Sequence, residues 1–213
     1  MKCVIVAGGE KPQGRLPLLS LAQADYLICA DSGANHLFEL GFIPDLIVGD
    51  FDSVSPGVLQ AYRERGCPIK TYPVEKDYTD TELAVQLALK MNPSEVDLLG
   101  QIGSRLDHSL ANIFLLTAYH SENCRLRLVG PDYLAWVTGD RTVVEGDPGD
   151  YVSILPVSEV ACGITMEGFK YPLLNATIPR GSTHGISNEL VKNRGLISLK
   201  SGFLFVIHTK NSV

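Results

Sequence analysis

Tyr26-Leu27-Ile28-Cys29-Ala30-Asp31-Ser32-Gly33-Ala34-Asn35-His36-Leu37-Phe38-Glu39-Leu40-Gly41, followed by Leu46-Ile47-Val48-Gly49-Asp50-Phe51-Asp52-Ser53, is the stretch on which the fold turns. Its first five residues form a short apolar, β-favouring run that stops at Asp31-Ser32-Gly33. Residues 34–40 then read as a helix, closed by Gly41 in the left-handed cap position. Residues 46–48 form a second apolar run that stops at Gly49-Asp50. Strand, helix, strand in so few residues is a βαβ unit.

The same alternation continues on both sides. Residues 2–7 are an apolar run ending in Gly8-Gly9. Downstream, Ser55-Pro56 supplies an N-cap and a proline at the first helical position, and residues 57–65 run as a helix to Gly66. Residues 69–72 make another strand. Thr79-x-x-Glu82 is a capping-box pattern before a helix over 80–91, and strand 96–99 leads through glycine-rich turn chemistry to a helix over 107–119. Right-handed βαβ units of this kind predict an α/β, Rossmann-like domain with a parallel sheet over residues 1–131. Ligands of such sheets sit beyond the carboxyl ends of the strands.

After Pro131 the pattern changes. Residues 151–156, 164–167, 183–187, 196–200 and 203–209 are short alternating or apolar runs. Gly146-Asp147-Pro148-Gly149, Asn193-Arg194-Gly195 and Ser201-Gly202 separate them. This predicts a small all-β sandwich or barrel-like domain over residues 132–213.

Composition narrows the function. A chain of 213 residues with 45% hydrophobic and 20% charged residues matches a soluble globular protein. The net charge of −6 and the lack of a basic run argue against nucleic acid as a partner. No run approaches the ~18 apolar residues of a membrane helix, and the N-terminal apolar stretch is too brief for a signal peptide. Five widely spaced cysteines without C-x-x-C spacing point to free thiols in a reducing cytoplasm.

The chemistry concentrates in four segments placed at strand ends or helix starts. They are Asp31 to Asn35, Gly49 to Ser53, Lys76-Asp77-Tyr78-Thr79-Asp80, and Gly103-Ser104-Arg105-Leu106-Asp107-His108. Two carboxylates ~4 Å apart repel by about 4 kcal/mol at an effective dielectric near 20. A hard divalent cation cancels that cost, and oxygen-only ligands select Mg²⁺ over zinc. Asp50 and Asp52, two apart on an extended segment, point the same way. Asp31 and Asp80 also fit helix-start roles, and Gly8-Gly9 fits an ordinary turn. Arg105 and His108 at a helix N-terminus suit phosphate, although Arg105 also suits an ion pair with Asp107. His36, His120, His184 and His208 show no metal-ligand spacing.

These segments, in this order, resemble the motifs of the thiamine pyrophosphokinase family. Gly168-Phe169-Lys170-Tyr171-Pro172-Leu173 and Gly185-Ile186-Ser187-Asn188-Glu189 resemble that family's thiamine-binding β domain. The resemblance implies a homodimer whose active sites lie between the α/β domain of one subunit and the β domain of the other. The implied reaction converts ATP and thiamine to AMP and thiamine diphosphate. It implies Mg²⁺ on Asp50, Asp52 and Asp80 with Asp31 close by. Asp77, Arg105, Asp107 and His108 would bind nucleotide or orient the transferring group. Tyr171 would stack on thiamine, where a cationic thiazolium suits an aromatic face. Ser187 and Asn188 would line the thiamine pocket, with Lys76 as a further substrate contact. Tyr171 stands where animal members are expected to carry Trp, and Lys76 where they are expected to carry Gln.

The reaction implied is in-line attack by the thiamine hydroxyl on the β-phosphorus, with Asp80 or Asp107 accepting the proton. Three rivals compete. One is a same-fold pyrophosphokinase acting on another alcohol such as a hydroxymethylpterin. Another is a phosphatase with Asp50 as nucleophile, and the third is a non-catalytic thiamine sensor.

Overall fold

The computed structural model describes residues 1–75 and 77–211, and the chain divides into two compact units, Met1–Pro131 and Asp132–Val213.

The first unit alternates strand and helix: β1 (Lys2–Val6), α1 (Arg15–Ala22), β2 (Tyr26–Ala30), α2 (Gly33–Leu40), β3 (Leu46–Gly49), α3 (Pro56–Glu64), β4 (Ile69–Thr71), α4 (Asp80–Leu89), β5 (Glu95–Leu99), α5 (Leu106–Ala118) and β6 (Arg125–Val129). The strands lie in the order β6-β5-β1-β2-β3-β4, and every pair is parallel. β1 and β2 are buried along nearly their whole length, as strands with helices on both faces must be. That continuous burial is why both read as apolar runs rather than alternating ones. α2 stops where Gly41 turns left-handed at φ 78° and Phe42 N–H returns to Leu37 C=O at 3.0 Å. Thr79 Oγ1 accepts from Glu82 N–H at 3.2 Å, which caps α4 as its sequence pattern predicts. Ser55 occupies the N-cap of α3, but its side chain makes no cap bond; its backbone N–H goes to Asn35 Oδ1 at 3.0 Å.

α1 and β6 do not stand out in the sequence. α1 carries Pro17 in its first turn and no side-chain cap. β6 supplies Arg127, which reaches buried Asp97 on β5 at 2.7 Å, while Lys2 on β1 reaches it at 2.8 Å. Burial pushes the Asp97 carboxyl up, and the bonds from Arg127, Lys2 and Ser20 outweigh it and hold the group ionised.

In the second unit β7 (Tyr133–Thr138), β9 (Tyr151–Pro156), β12 (Asn188–Glu189) and β14 (Leu204–Thr209) form one antiparallel sheet, in the order β12-β9-β14-β7. β8 (Arg141–Glu145), β10 (Val160–Glu167), β11 (Leu173–Pro179) and β13 (Arg194–Ser198) form another, in the order β11-β10-β13-β8. Alternate residues of both sheets, including Val152, Ile154, Ile164, Met166, Ile197 and Val206, meet in one core, so the unit is a β-sandwich.

One expected strand is absent. Residues 183–187 are a turn, because Gly185 (φ 103°) and Ser187 (φ 55°) adopt left-handed backbone that a strand does not allow. Ile186 N–H accordingly closes on Thr183 C=O at 3.2 Å.

Candidate active site

Asp31 directly follows β2 and Asp50 directly follows β3, so parallel pairing of those strands brings both to one rim. Asp52 joins them by a different route from the one its spacing suggests. The segment is not extended: Phe51 sits at φ 68°, and Asp52 N–H folds back to Asp50 Oδ1 at 3.3 Å. Ser53 Oγ donates to Asp52 Oδ1 at 2.7 Å. One carboxylate oxygen from each of Asp31, Asp50 and Asp52 lies within 4.8 Å of the other two. Asn35 on α2 anchors this loop, with Nδ2 donating to Ser53 C=O at 3.2 Å and Oδ1 accepting from Ser55 N–H.

Three carboxylates this close repel one another by roughly 3.5 kcal/mol per pair at an effective dielectric near 20. Asp31 shows the strain. Its Oδ1 is buried and accepts no hydrogen bond among the described residues. Burial raises its carboxyl above the usual 3.8, Asp80, Asp50 and Asp52 raise it further, and the Ser32 N–H only partly offsets them. An orphaned buried oxygen beside two more carboxylates fits a hard cation with oxygen ligands, so the residues present suit Mg²⁺. The family resemblance groups Asp80 with Asp50 and Asp52 and puts Asp31 close by, whereas the carboxylates within 4.8 Å of one another are those of Asp31, Asp50 and Asp52. Asp80 stands beside Asp31, and of the three neighbouring carboxylates it acts on Asp31 most strongly.

A cavity of ≈ 410 Å³ opens next to these residues. Its walls come from residues 7–10 after β1, Asp31 and Ser32 after β2, the start of α4 (Thr79, Asp80, Thr81), the loop after β5, and α5. β1 is where strand order reverses, with β2 on one side and β5 on the other, the usual place for a ligand in such a sheet. Gly8-Gly9 is the turn it resembles: Gly9 N–H goes to Gly100 C=O at 2.8 Å and Glu10 N–H to Ile102 C=O at 2.7 Å. Those amides are spent on the protein. A Cβ on Gly9 would stand 2.3 Å from Ile102 C=O, so only glycine allows the two loops to touch.

Arg105 lines the cavity and is held by Asp107, with Nε to Oδ1 at 3.2 Å and Nη2 to Oδ2 at 2.6 Å. The bond from Arg105 lowers the Asp107 carboxyl to about 2. His108 lines the cavity, whereas Asp107 and Asp77 do not, and Asp77 is exposed. Lys76 falls outside the described residues.

Ser109 and Asn112 are site residues that motif reading misses. Ser109 Oγ accepts from Gly103 N–H at 3.1 Å and donates to Arg105 C=O at 3.0 Å, while Asn112 Nδ2 donates to Gln101 C=O at 2.8 Å. Both are buried and line the cavity, so α5 grips the loop that presents Arg105. Their signal is the spacing 105, 109 and 112, which puts an Arg, a Ser and an Asn on one helix face.

In the second unit Tyr171 is 59% exposed, and Lys170 Nζ sits 5.6 Å from its ring centre. Lys170 also pairs with Glu189 at 2.9 Å. Ser187 is exposed and donates its N–H to Ser153 Oγ at 2.9 Å. Asn188 is buried, and its amide bonds the main chain of Tyr171.

Residues 18–128 match the family model for the thiamin pyrophosphokinase catalytic domain, and residues 141–204 match that for the thiamin pyrophosphokinase vitamin B1 binding domain. The chain is 35% identical to a Bacillus subtilis thiamine pyrophosphokinase over 209 residues, 96% of this chain and 97% of that one. The crystal structure of thiamine pyrophosphokinase from the same organism is similar at a TM-score of 0.89 and 33% identity, covering 99% of this chain and all of that one. A Geobacillus thermodenitrificans thiamin pyrophosphokinase gives 0.86 and 35%, covering 100% of this chain and 99% of that one.

Proposed function

The chain belongs to the thiamin pyrophosphokinase family, and from that footing we propose that it moves the pyrophosphoryl group of ATP onto the thiamine hydroxyl with Mg²⁺ held by Asp31, Asp50 and Asp52. The observation that carries the metal assignment is the orphaned, buried Oδ1 of Asp31, whose carboxylate clusters with two more beside the cavity. The protein is an ATP-dependent thiamine diphosphokinase, with thiamine and ATP as its substrates.

Bound Mg²⁺ neutralises phosphate charge and polarises the transferring group. The chain's residues supply position. Asp50 and Asp52 hold the metal from the loop after β3, with Asp80 facing Asp31 from α4. Arg105 meets phosphate oxygens in a fork geometry, aimed by Asp107, and His108 joins it from the first turn of α5. Asp77 adds a polar contact on the approach to α4. Of the two carboxylates that can accept the hydroxyl proton, Asp80 is favoured. It lines the cavity, whereas both oxygens of Asp107 are engaged by Arg105. Tyr171 receives the thiazolium, a role supported by the ammonium its ring already faces, and Ser187 lines the thiamine pocket.

The chain acts as a homodimer. An apolar stripe on α5 supports this: Leu106, Leu110 and Phe114 are 70%, 43% and 65% exposed and recur every four residues. Among the described residues no helix is long and apolar enough to cross a membrane, and five free cysteines support a reducing, cytoplasmic setting.

Incubation with ATP, Mg²⁺ and thiamine tests the reading. AMP and thiamine diphosphate in equal amounts are expected. Free phosphate alone would instead indicate a phosphatase, and preferential use of a hydroxymethylpterin would indicate the other alcohol. The match to a vitamin B1 binding domain over residues 141–204 supports thiamine.

A further inference from the structure

Asn188 opens β12 and is 4% exposed. Its Oδ1 accepts from Tyr171 N–H at 3.0 Å and from Glu189 N–H at 2.9 Å, and its Nδ2 donates to Tyr171 C=O at 2.7 Å. Both ends of the amide are therefore used on main chain. The connection from β10 to β11 runs antiparallel to residues 188–190, with Phe169 bridging Leu190 and Lys170 N–H bonding Glu189 C=O at 2.9 Å. This pairing cannot continue past Tyr171, because Pro172 has no N–H. The Asn188 side chain takes the place of the missing partner and clamps Tyr171 at both its N–H and its C=O. Such a clamp leaves the ring exposed while fixing the backbone that carries it.

We propose that Asn188 is a positioning residue for thiamine, acting only through Tyr171 by holding its main chain so that the ring presents a fixed cation-binding face. The proposal rests on Tyr171 receiving the thiazolium. It removes Asn188 from the substrate contacts that its motif position suggests. A pre-set ring costs the ligand no ordering of the loop on binding, so loosening it weakens thiamine binding without touching the chemistry.

The test is a cycle of Asn188→Ala, Tyr171→Ala and the double variant in the full chain, with steady-state kinetics in both substrates. Tyr171→Ala is expected to raise KM for thiamine about tenfold, which corresponds to about 1.4 kcal/mol. Asn188→Ala is expected to raise it by about fivefold, with kcat and KM for ATP within about twofold. The double variant should match Tyr171→Ala alone. Asn188→Asp keeps the acceptor and loses the donor, so it should fall between wild type and Asn188→Ala. It also carries the test if the alanine variant does not fold, as judged by thermal melting. A further loss from Asn188→Ala in the Tyr171→Ala background would overturn the proposal in favour of a direct contact. An unchanged thiamine KM in Asn188→Ala beside a raised one in Tyr171→Ala would reduce Asn188 to a structural role. Tyr171→Ala without effect would sink the stacking assignment and the clamp together, a pattern distinct from both.

Discussion

Gly49 lies directly against Asp31: a Cβ on Gly49 would stand 3.2 Å from both Cα and Cβ of Asp31. Asp31 N–H also bonds Val48 C=O at 2.8 Å, so the end of β3 and the first residue past β2 form one packed unit. The carboxylate cluster is built on that contact, and three predictions follow from its surroundings.

Gly49→Ala adds a methyl 3.2 Å from Asp31 Cα and Cβ, tighter than ordinary contact, at a φ of 153° that L-residues rarely adopt. It is expected to cost about 1–3 kcal/mol of stability by urea denaturation. It should also raise the Mg²⁺ concentration for half-maximal activity, because Asp31 must shift. Unchanged Mg²⁺ dependence would show that Asp31 is not a ligand.

Asp31 is raised above 3.8 by burial and by Asp80, Asp50 and Asp52. Between 3.8 and its folded value the native state holds more protons than the unfolded one, so stability falls as pH rises through that window. Near neutral pH the metal-free protein bears the full penalty. Mg²⁺ should therefore raise Tm near pH 7 and lose that effect near pH 4, where protons displace it. Asp52→Asn should raise the metal-free Tm while lowering kcat about a hundredfold or more. A metal-free Tm below wild type, or full activity, would contradict the cluster's role.

Arg105→Ala should raise KM for ATP by about 10–100-fold, the value of a charge-assisted bond to phosphate. Asp107→Asn should do less. The bond from Arg105 keeps Asp107 near 2, so the carboxylate is ionised throughout the working range. The pH–rate profile of Asp107→Asn should thus keep its shape above about pH 4. Loss of a limb of that profile would make Asp107 the proton acceptor and displace Asp80.

Much of this was legible before any coordinates. β1, β2, β3 and β5 announce themselves as apolar runs because helices cover both faces of a parallel sheet, and Gly41 and Gly66 mark helix ends. α1, β6, β7, β8 and β11 were not legible. β11 leaves most of its residues in contact with solvent, and β6 carries two arginines, of which Arg127 is answered by Glu95 and Asp97, distant in sequence. The supposed strand at 183–187 has strand-like composition but left-handed backbone at Gly185 and Ser187.

The sequence by itself determined the chemistry on offer: aspartates at strand ends, an arginine and a histidine at a helix start, an aromatic in a second, all-β part, and their order along the chain. Those follow from residue type and local periodicity, which act over a few residues. Tertiary structure alone decided which groups meet. It joined Asp31 to Asp50 and Asp52, spent the Gly9 and Glu10 amides on the facing loop, and buried the Asn188 amide against Tyr171. Each of these is set by strand register and by main-chain hydrogen bonds between residues far apart in sequence, and no local pattern encodes them.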